Sequence, residues 1–251
     1  MIMPKKDDAI TAVVMAGGKG TRLHPITSSI PKALVPVREK PILDYLLSRL
    51  HQCGVRRVVM AINHLAEIIM AVVGDGSRWG LEVSYSLEDK PLGTIGPLHI
   101  IENLPENFLV MNADLLTDLD MKELYDYHIS GDSLLTISTI KRKHEVDFGV
   151  IHYSEETKNL TGFEEKPVLE YAVSTGIYAM NRNILNFIPK GKPFGLDSLV
   201  ESLLSAKENI KIYEHSGEWL DIGRLEDFIE ANKGDLNFIN KISGTDSNPS
   251  G

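Results

Sequence analysis

"ITAVVMAGGKGTRLHPITSSIPKALVPV", Ile10–Val37, is the stretch from which the architecture of this chain can be read. The apolar run Ile10–Ala16 has the length of a buried strand, and it breaks at once into Gly17-Gly18-Lys19-Gly20. A glycine loop at the carboxyl end of such a strand is where an α/β sheet takes up a phosphate-bearing ligand. Two well-known phosphate motifs fail on spacing. The dinucleotide fingerprint needs a third glycine that runs into a helix; here Thr21-Arg22-Leu23 follows, with Pro25 and Pro31 behind it. The ATP/GTP P-loop needs a lysine directly before its Ser/Thr, whereas Gly20-Thr21-Arg22 puts an arginine after the threonine. A plain tight turn accounts for the glycines but not for Arg22 and Lys32 around a proline-stiffened segment. What remains is a polyphosphate grip. Glycines lacking Cβ let backbone N–H groups approach phosphate oxygens. Arg22 adds a planar fork for two oxygens and Lys32 a compact mobile charge. Pro31 restricts the chain beside Lys32.

Outward from this loop, strand and helix patterns alternate. Strand-like runs fall at Ile10–Ala16, Val55–Ile62, Leu81–Ser86 and Asn107–Asn112. Between the first three lie helical patterns at Pro41–Cys53, opened by Pro41 and closed by Gly54, and near His64–Val73. This rhythm predicts a mainly parallel sheet covered on both faces. After a helix at Met121–Ile129 come "SLLTISTIK", "FGVIHY", "NLTGFEE" and "AVSTGIYAM", strand-rich runs that read as antiparallel additions. Short helices near Arg182–Ile188 and Asp197–Ala206, a strand at Ile210–Glu214 and a helix at Leu225–Asn237 complete the pattern. Residues 1–8 read as a flexible lead, 9–240 as one domain and 241–251 as a flexible tail.

Composition narrows the partners. The chain of 251 residues carries a formal net charge of -9, which excludes a broad basic face for nucleic acid or anionic lipid. A polyanionic small molecule must therefore be held by local positive charge. The one cysteine, Cys53, lies in the apolar pattern of a helix and reads as a buried thiol. The eight histidines show no ligand spacing. No apolar run reaches membrane-spanning length and "MIMPKKDDAI" lacks a signal peptide's apolar stretch, so a cytoplasmic location is expected.

The loop and five further motifs in order, "PLGTIGPL" (91–98), "VMNADLL" (110–116), "FEEKP" (163–167), "STGIYAM" (174–180) and "WLDIGRLEDF" (219–228), resemble the sugar-phosphate nucleotidyltransferases. The likeness runs from about residue 10 to 230, and "PLGT" also resembles the guanylyl-transferring branch, with its mannose and heptose 1-phosphate members. It implies a single Rossmann-like, mainly parallel sheet. It also implies attack by a sugar-phosphate oxygen on the α-phosphorus of a nucleoside triphosphate, with loss of pyrophosphate. Such a reaction needs positioning and electrostatics rather than a covalent nucleophile.

By that resemblance Ala16, Gly17, Gly18, Gly20, Thr21, Gly93 and Thr94 hold nucleotide, and Arg22, Lys32 and Lys166 are catalytic. Asp114, at the carboxyl end of "NFLVMN", and Asp221 match the family's two metal carboxylates, whose hard oxygens suit Mg²⁺. Lys166 also meets the sugar phosphate, and Glu165, Gly149, Ser174 and Thr175 form the sugar pocket. Ser174 stands where asparagine is common, and Asn112-Ala113-Asp114 replaces Asn-Gly-Asp. Asp118 and Asp120 read as turn and N-cap residues. Glu88 stands where uridylyl- and thymidylyl-transferring relatives place glutamine. An ionised carboxylate only accepts hydrogen bonds and so matches guanine's adjacent N1–H and 2-amino donors. GTP is the expected nucleotide, with UTP, dTTP or CTP, or a non-catalytic nucleotide-sugar sensor, as alternatives. The sugar stays open among mannose, heptose, glucosamine and other 1-phosphates. Absence of hexapeptide repeats after "DIGRLEDF" argues against a second, acetyl-transferring activity, and a homo-oligomer is compatible with the pattern.

Overall fold

The computed structural model describes residues 9–233. The expected flexible segments 1–8 and 241–251 lie outside the described residues, as does the end of the last expected helix. In chain order the strands and helices of the first half are β1 (Thr11–Met15), β2 (Pro36–Val37), β3 (Lys40–Pro41), α1 (Ile42–Gln52), β4 (Arg57–Ile62), α2 (Ala66–Val73), β5 (Glu82–Leu87), β6 (Asn107–Asn112) and β7 (Leu115–Thr117). The second half adds α3 (Met121–Ile129), β8 (Leu135–Glu145), β9 (Val150–Tyr153), β10 (Leu160–Glu164), β11 (Val168–Asn181), α4 (Leu196–Ser205), β12 (Ile210–His215), β13 (Trp219–Asp221) and α5 (Leu225–Lys233).

A seven-stranded sheet in the order β12-β8-β11-β6-β1-β4-β5 is the frame. β1 runs parallel to β4 and β6, β4 parallel to β5 and β12 parallel to β8, while β11 is antiparallel to both β6 and β8. The mixed, mainly parallel sheet is as expected. The chain leaves β1 towards β4 and later returns to β6 on the other side of β1, which opens a crevice at their carboxyl ends. The glycine loop follows β1 and Asp114 follows β6, so both fall on that crevice.

Both faces of the sheet are covered. Ala12 and Val14 pack with Leu43, Leu46, Leu47 and Leu50 of α1, whereas Val13 packs on the opposite face with Phe108 and Leu199. Alternation along a continuous apolar strand does this without any polar position, as a doubly covered strand requires. Helix α1 ends as its sequence dictates, with Gly54 at φ 84 beyond it. Cys53 is buried behind that end, and burial raises its thiol pKa, so it is the buried thiol expected. Asp120 caps α3 by accepting from the N–H groups of Lys122 and Glu123. Asp118 accepts from Glu218 N–H at 2.8 Å and joins the ends of β7 and β13.

His128 on α3 is buried, with Nδ1 2.8 Å from the Thr136 hydroxyl. Burial, and then the nearby Lys211 charge, lower its pKa to about 4. The neutral ring's contribution is complete above about pH 6.5 and is lost as the pH falls through about 4. Urea unfolding should therefore show a stability loss on the order of 3 kcal/mol across that window. His128→Leu, which takes up no proton there, should lose less over the same range. An equal acid loss in the variant would refute this account.

Candidate active site

The loop after β1 does not enter an α-helix. It makes three 3₁₀ turns, Thr21–Leu23, Ile26–Ser28 and Lys32–Leu34, which the prolines impose by interrupting any longer helix. Gly20, at φ 62, lets the loop double back: a Cβ there would stand 3.0 Å from Thr27 and 3.1 Å from Lys32. Thr27 Oγ1 donates to Gly20 O at 2.7 Å and holds the closure. This brings Lys32 to Asp114, with Nζ in contact with Oδ2 and both side chains largely buried.

Asp221 reaches the same place by strand pairing. The short strands β7 and β13 run antiparallel and set Asp221 opposite Leu115, next to Asp114, and Ile222 N–H donates to Asp114 O at 3.0 Å. Burial raises the pKa of Asp221, and the Asp114 carboxylate raises it further, while Lys32 and Arg22 oppose this. Oδ1 of Asp114 and Oδ1 of Asp221 are both buried and have no hydrogen-bond donor among the described residues. Two orphaned carboxylate oxygens on neighbouring residues suit a divalent cation, which would satisfy both and offset their repulsion.

Beside this pair lies a cleft of about 390 Å³. Gly17, Gly18 and Lys19 form one wall, Glu88, Pro91, Gly93 and Thr94 another, and Asn112 and Asp114 the floor. Ala16 lies behind it in a small adjoining recess shared with Lys32 and Asp114. Thr21 is exposed at the loop's outer turn. Glu88 Oε2 accepts from Leu92 N–H at 2.9 Å, and its Oε1 lies so close to Gly17 that a Cβ there would stand 2.7 Å away. Burial pushes its carboxyl pKa up. The 91–98 loop is pinned because Ile95 and Gly96 N–H both donate to Phe194 O.

The segments read as a sugar pocket are less gathered. Gly149 faces Phe163 and Glu165 across the β9–β10 pair, with a Cβ placed 3.3 Å from Glu165 Oε2. Glu165 and Lys166 are exposed, and Lys166 takes φ 46 at the turn before Pro167. A β-bulge interrupts β11 between Ser174 and Tyr178 and places the Ser174 hydroxyl 3.1 Å from Tyr178 Oη. Thr175, expected in the sugar pocket, is held by the fold on several sides. It is completely buried, its hydroxyl donates to Ser138 O at 3.1 Å, and its carbonyl accepts from Trp219 Nε1 at 2.8 Å. Its polar groups are committed to the fold.

The sequence pattern had not singled out Asn63, whose amide donates to Glu88 O at 2.8 Å and fixes that turn. The signal that marked Asp114, a polar residue just past a buried strand, would have found it. His24 shares a 3.0 Å contact with Ser28 and is exposed.

The nucleotidyl transferase family model matches residues 11–237. The chain belongs to that family. The UTP--glucose-1-phosphate uridylyltransferase of Synechocystis sp. is 33% identical over 245 residues, 90% of this chain and 63% of that protein. The mannose-1-phosphate guanylyltransferase of Mycobacterium tuberculosis is also 33% identical, over 88% of this chain and 63% of its own length. The chain thus spans less than two thirds of these curated relatives. Among solved structures, HddC from Yersinia pseudotuberculosis is 27% identical and superposes with a TM-score of 0.68 over 88% of this chain and 97% of that one. The same protein complexed with GMP-PN gives 0.67. Among the described residues, no helix is long and apolar enough to cross a membrane.

Proposed function

We propose that this chain transfers a nucleoside monophosphate, GMP by preference, from its triphosphate to a sugar 1-phosphate. A phosphate oxygen of the sugar attacks the α-phosphorus, the bond to the β-phosphate oxygen breaks, and pyrophosphate leaves with that electron pair. One observation carries the reading: Lys32 meets Asp114 and Arg22 lines a recess with Asp221, two half-buried carboxylates that each keep one oxygen without a donor among the described residues, beside a cleft that a nucleoside fits. The nucleophile is already anionic, so no general base is required. The glycine-loop N–H groups and Arg22 would grip the terminal phosphates. Lys32 would offset charge on the phosphate undergoing substitution. Asp114 and Asp221 would hold Mg²⁺, which when bound neutralises charge on the phosphate oxygens. Lys166, Glu165, Gly149 and Ser174 would face the sugar phosphate, which supposes that the β9–β10 pair folds towards the cleft in the complex.

For the base, Glu88 lines the cleft with Oε1 near Gly17 and Oε2 accepting from Leu92 N–H. Each carboxylate oxygen has two lone pairs, so both can still accept from guanine's adjacent N1–H and 2-amino donors, and the mannose-1-phosphate guanylyltransferase relative and the GMP-PN complex of HddC support that choice. The uridylyltransferase relative supports the alternative. Pyrophosphate release should be assayed with GTP, ATP, UTP, CTP and dTTP against mannose, glucose and glucosamine 1-phosphates. GTP should give the highest kcat/KM by at least about tenfold, the value of one mispaired polar contact. Glu88→Gln should shrink that margin. A clear preference for UTP or dTTP would sink the Glu88 argument. Tight nucleotide-sugar binding without turnover on any pair would favour the sensor reading.

A further inference from the structure

A second recess of about 240 Å³ is lined in part by Asp221 and shares no lining residue with the nucleoside cleft. Three arginines from distant parts of the chain line it: Arg22 from the glycine loop, Arg142 from β8 and Arg224 from the start of α5. Among the described residues that line it, the carboxylates are Asp221 and Asp227. Asp227 is engaged, because its Oδ2 accepts the Arg224 N–H at 2.9 Å. Among the described residues, none of the three guanidinium groups lies within 4.0 Å of a carboxylate.

Three guanidinium groups without a salt-bridge partner thus gather at one small recess in a chain of net charge -9. Arg142 is also held in place. Its guanidinium carbon lies 5.2 Å from the centre of the Trp219 ring, and Nη2 is 3.5 Å from Trp219 O. Trp219 is anchored in turn through Nε1 to the Thr175 carbonyl at 2.8 Å. The buried Thr175 therefore steadies a platform on which a cation rests. A planar fork stacked on an anchored indole loses little freedom when it binds an anion, which is the arrangement that phosphate recognition rewards.

We infer that Arg142 and Arg224, together with Arg22, form a subsite for the two terminal phosphates of the triphosphate, and so for the pyrophosphate that leaves. The inference rests on the proposed nucleotidyl transfer and adds two residues to it. Position argues for the triphosphate tail over a phosphate carried by the sugar. Arg22 belongs to the same loop that walls the nucleoside cleft, and Asp221 of the recess neighbours Asp114 of the cleft, with Ile222 N–H donating to Asp114 O. A triphosphate lying along the loop would run from Gly17 and Gly18 past Asp114 and Asp221 into the recess.

Isothermal titration calorimetry with Mg²⁺ present tests this on the full chain. The probes are inorganic pyrophosphate, GTP, GMP and mannose 1-phosphate, against wild type, Arg142→Ala, Arg224→Ala and Arg142→Lys. Each alanine variant should weaken pyrophosphate and GTP by about tenfold or more, while GMP changes by less than about twofold. Arg142→Lys should recover part of the loss, since charge returns without the stacked fork. Both arginines are exposed, so circular dichroism and the thermal midpoint should not move. Unchanged pyrophosphate affinity in both alanine variants overturns the inference. So does equal weakening of GMP and pyrophosphate, or a loss confined to mannose 1-phosphate, which would assign the recess to the sugar side. If the wild type binds neither GTP nor pyrophosphate, the nucleotidyl-transfer reading itself fails and the subsite falls with it.

Discussion

Lys32→Ala should lower kcat by about a thousandfold while the protein stays folded. The lysine is not a free surface charge. It is carried on a 3₁₀ turn closed by Thr27 against Gly20, and its ammonium group meets Asp114 in a largely buried setting. Charge near a substituted phosphate acts most strongly where water is scarce and the group is already in place. Arg22→Ala should cost a similar factor through the terminal phosphates. Lys32→Arg should recover little, because the larger planar fork cannot occupy the space of a compact ammonium. Lys32→Ala combined with Asp114→Asn should cost clearly less than the two single losses multiplied, since each single variant strands the partner's charge. Steady-state pyrophosphate release at saturating Mg²⁺ is the measurement. Activity within about tenfold of wild type in Lys32→Ala would remove this residue from the chemistry.

Asp221→Asn should lower turnover by at least about a hundredfold, and it should do something opposite to stability. In the metal-free protein Asp221 is a partly buried carboxylate beside Asp114, each with an oxygen lacking a donor. Asparagine keeps the shape and removes the repulsion. The metal-free thermal midpoint should therefore stay level or rise, where 1 kcal/mol corresponds to about 2–4 °C at this size. Mg²⁺ should raise the wild-type midpoint by mass action, and this rise should vanish in the variant. EDTA should abolish wild-type turnover, with recovery on adding the metal back. A wild-type midpoint indifferent to Mg²⁺, Mn²⁺ and Ca²⁺ alike would contradict a metal role for the pair. A large fall in the metal-free midpoint of Asp221→Asn would show that the carboxylate serves folding instead.

Much of this was legible along the chain. Ile10–Ala16 and Asn107–Asn112 read as buried strands because apolar runs of that length, ended by glycine or polar residues, have few other uses. Their ends differ from expectation by a residue at most. The outer part of β11 escaped notice: Val168–Tyr171 is exposed and broken by Glu170, so it lacks both the apolar run and the clean alternation of a core strand. The short strands β7 and β13 escaped for a related reason. Three residues carry no period, and their pairing is decided by partners far away in sequence.

That distinction divides the site as well. The sequence by itself determined the cationic glycine loop after a strand, the exclusion of the two commoner phosphate motifs, and Asp114 at a strand's carboxyl end. Those are local facts, set by the absence of Cβ, by proline's fixed φ and by strand polarity. Only the tertiary structure decided that Asp221 stands beside Asp114, because strand pairing, not spacing, joins them. The same holds for Thr175, whose hydroxyl donates to Ser138 O and whose carbonyl accepts from Trp219. It holds too for Arg22, Arg142 and Arg224, which line one recess although nothing near them in the chain announces it. Coulomb interactions depend on distance through space, and folding sets that distance.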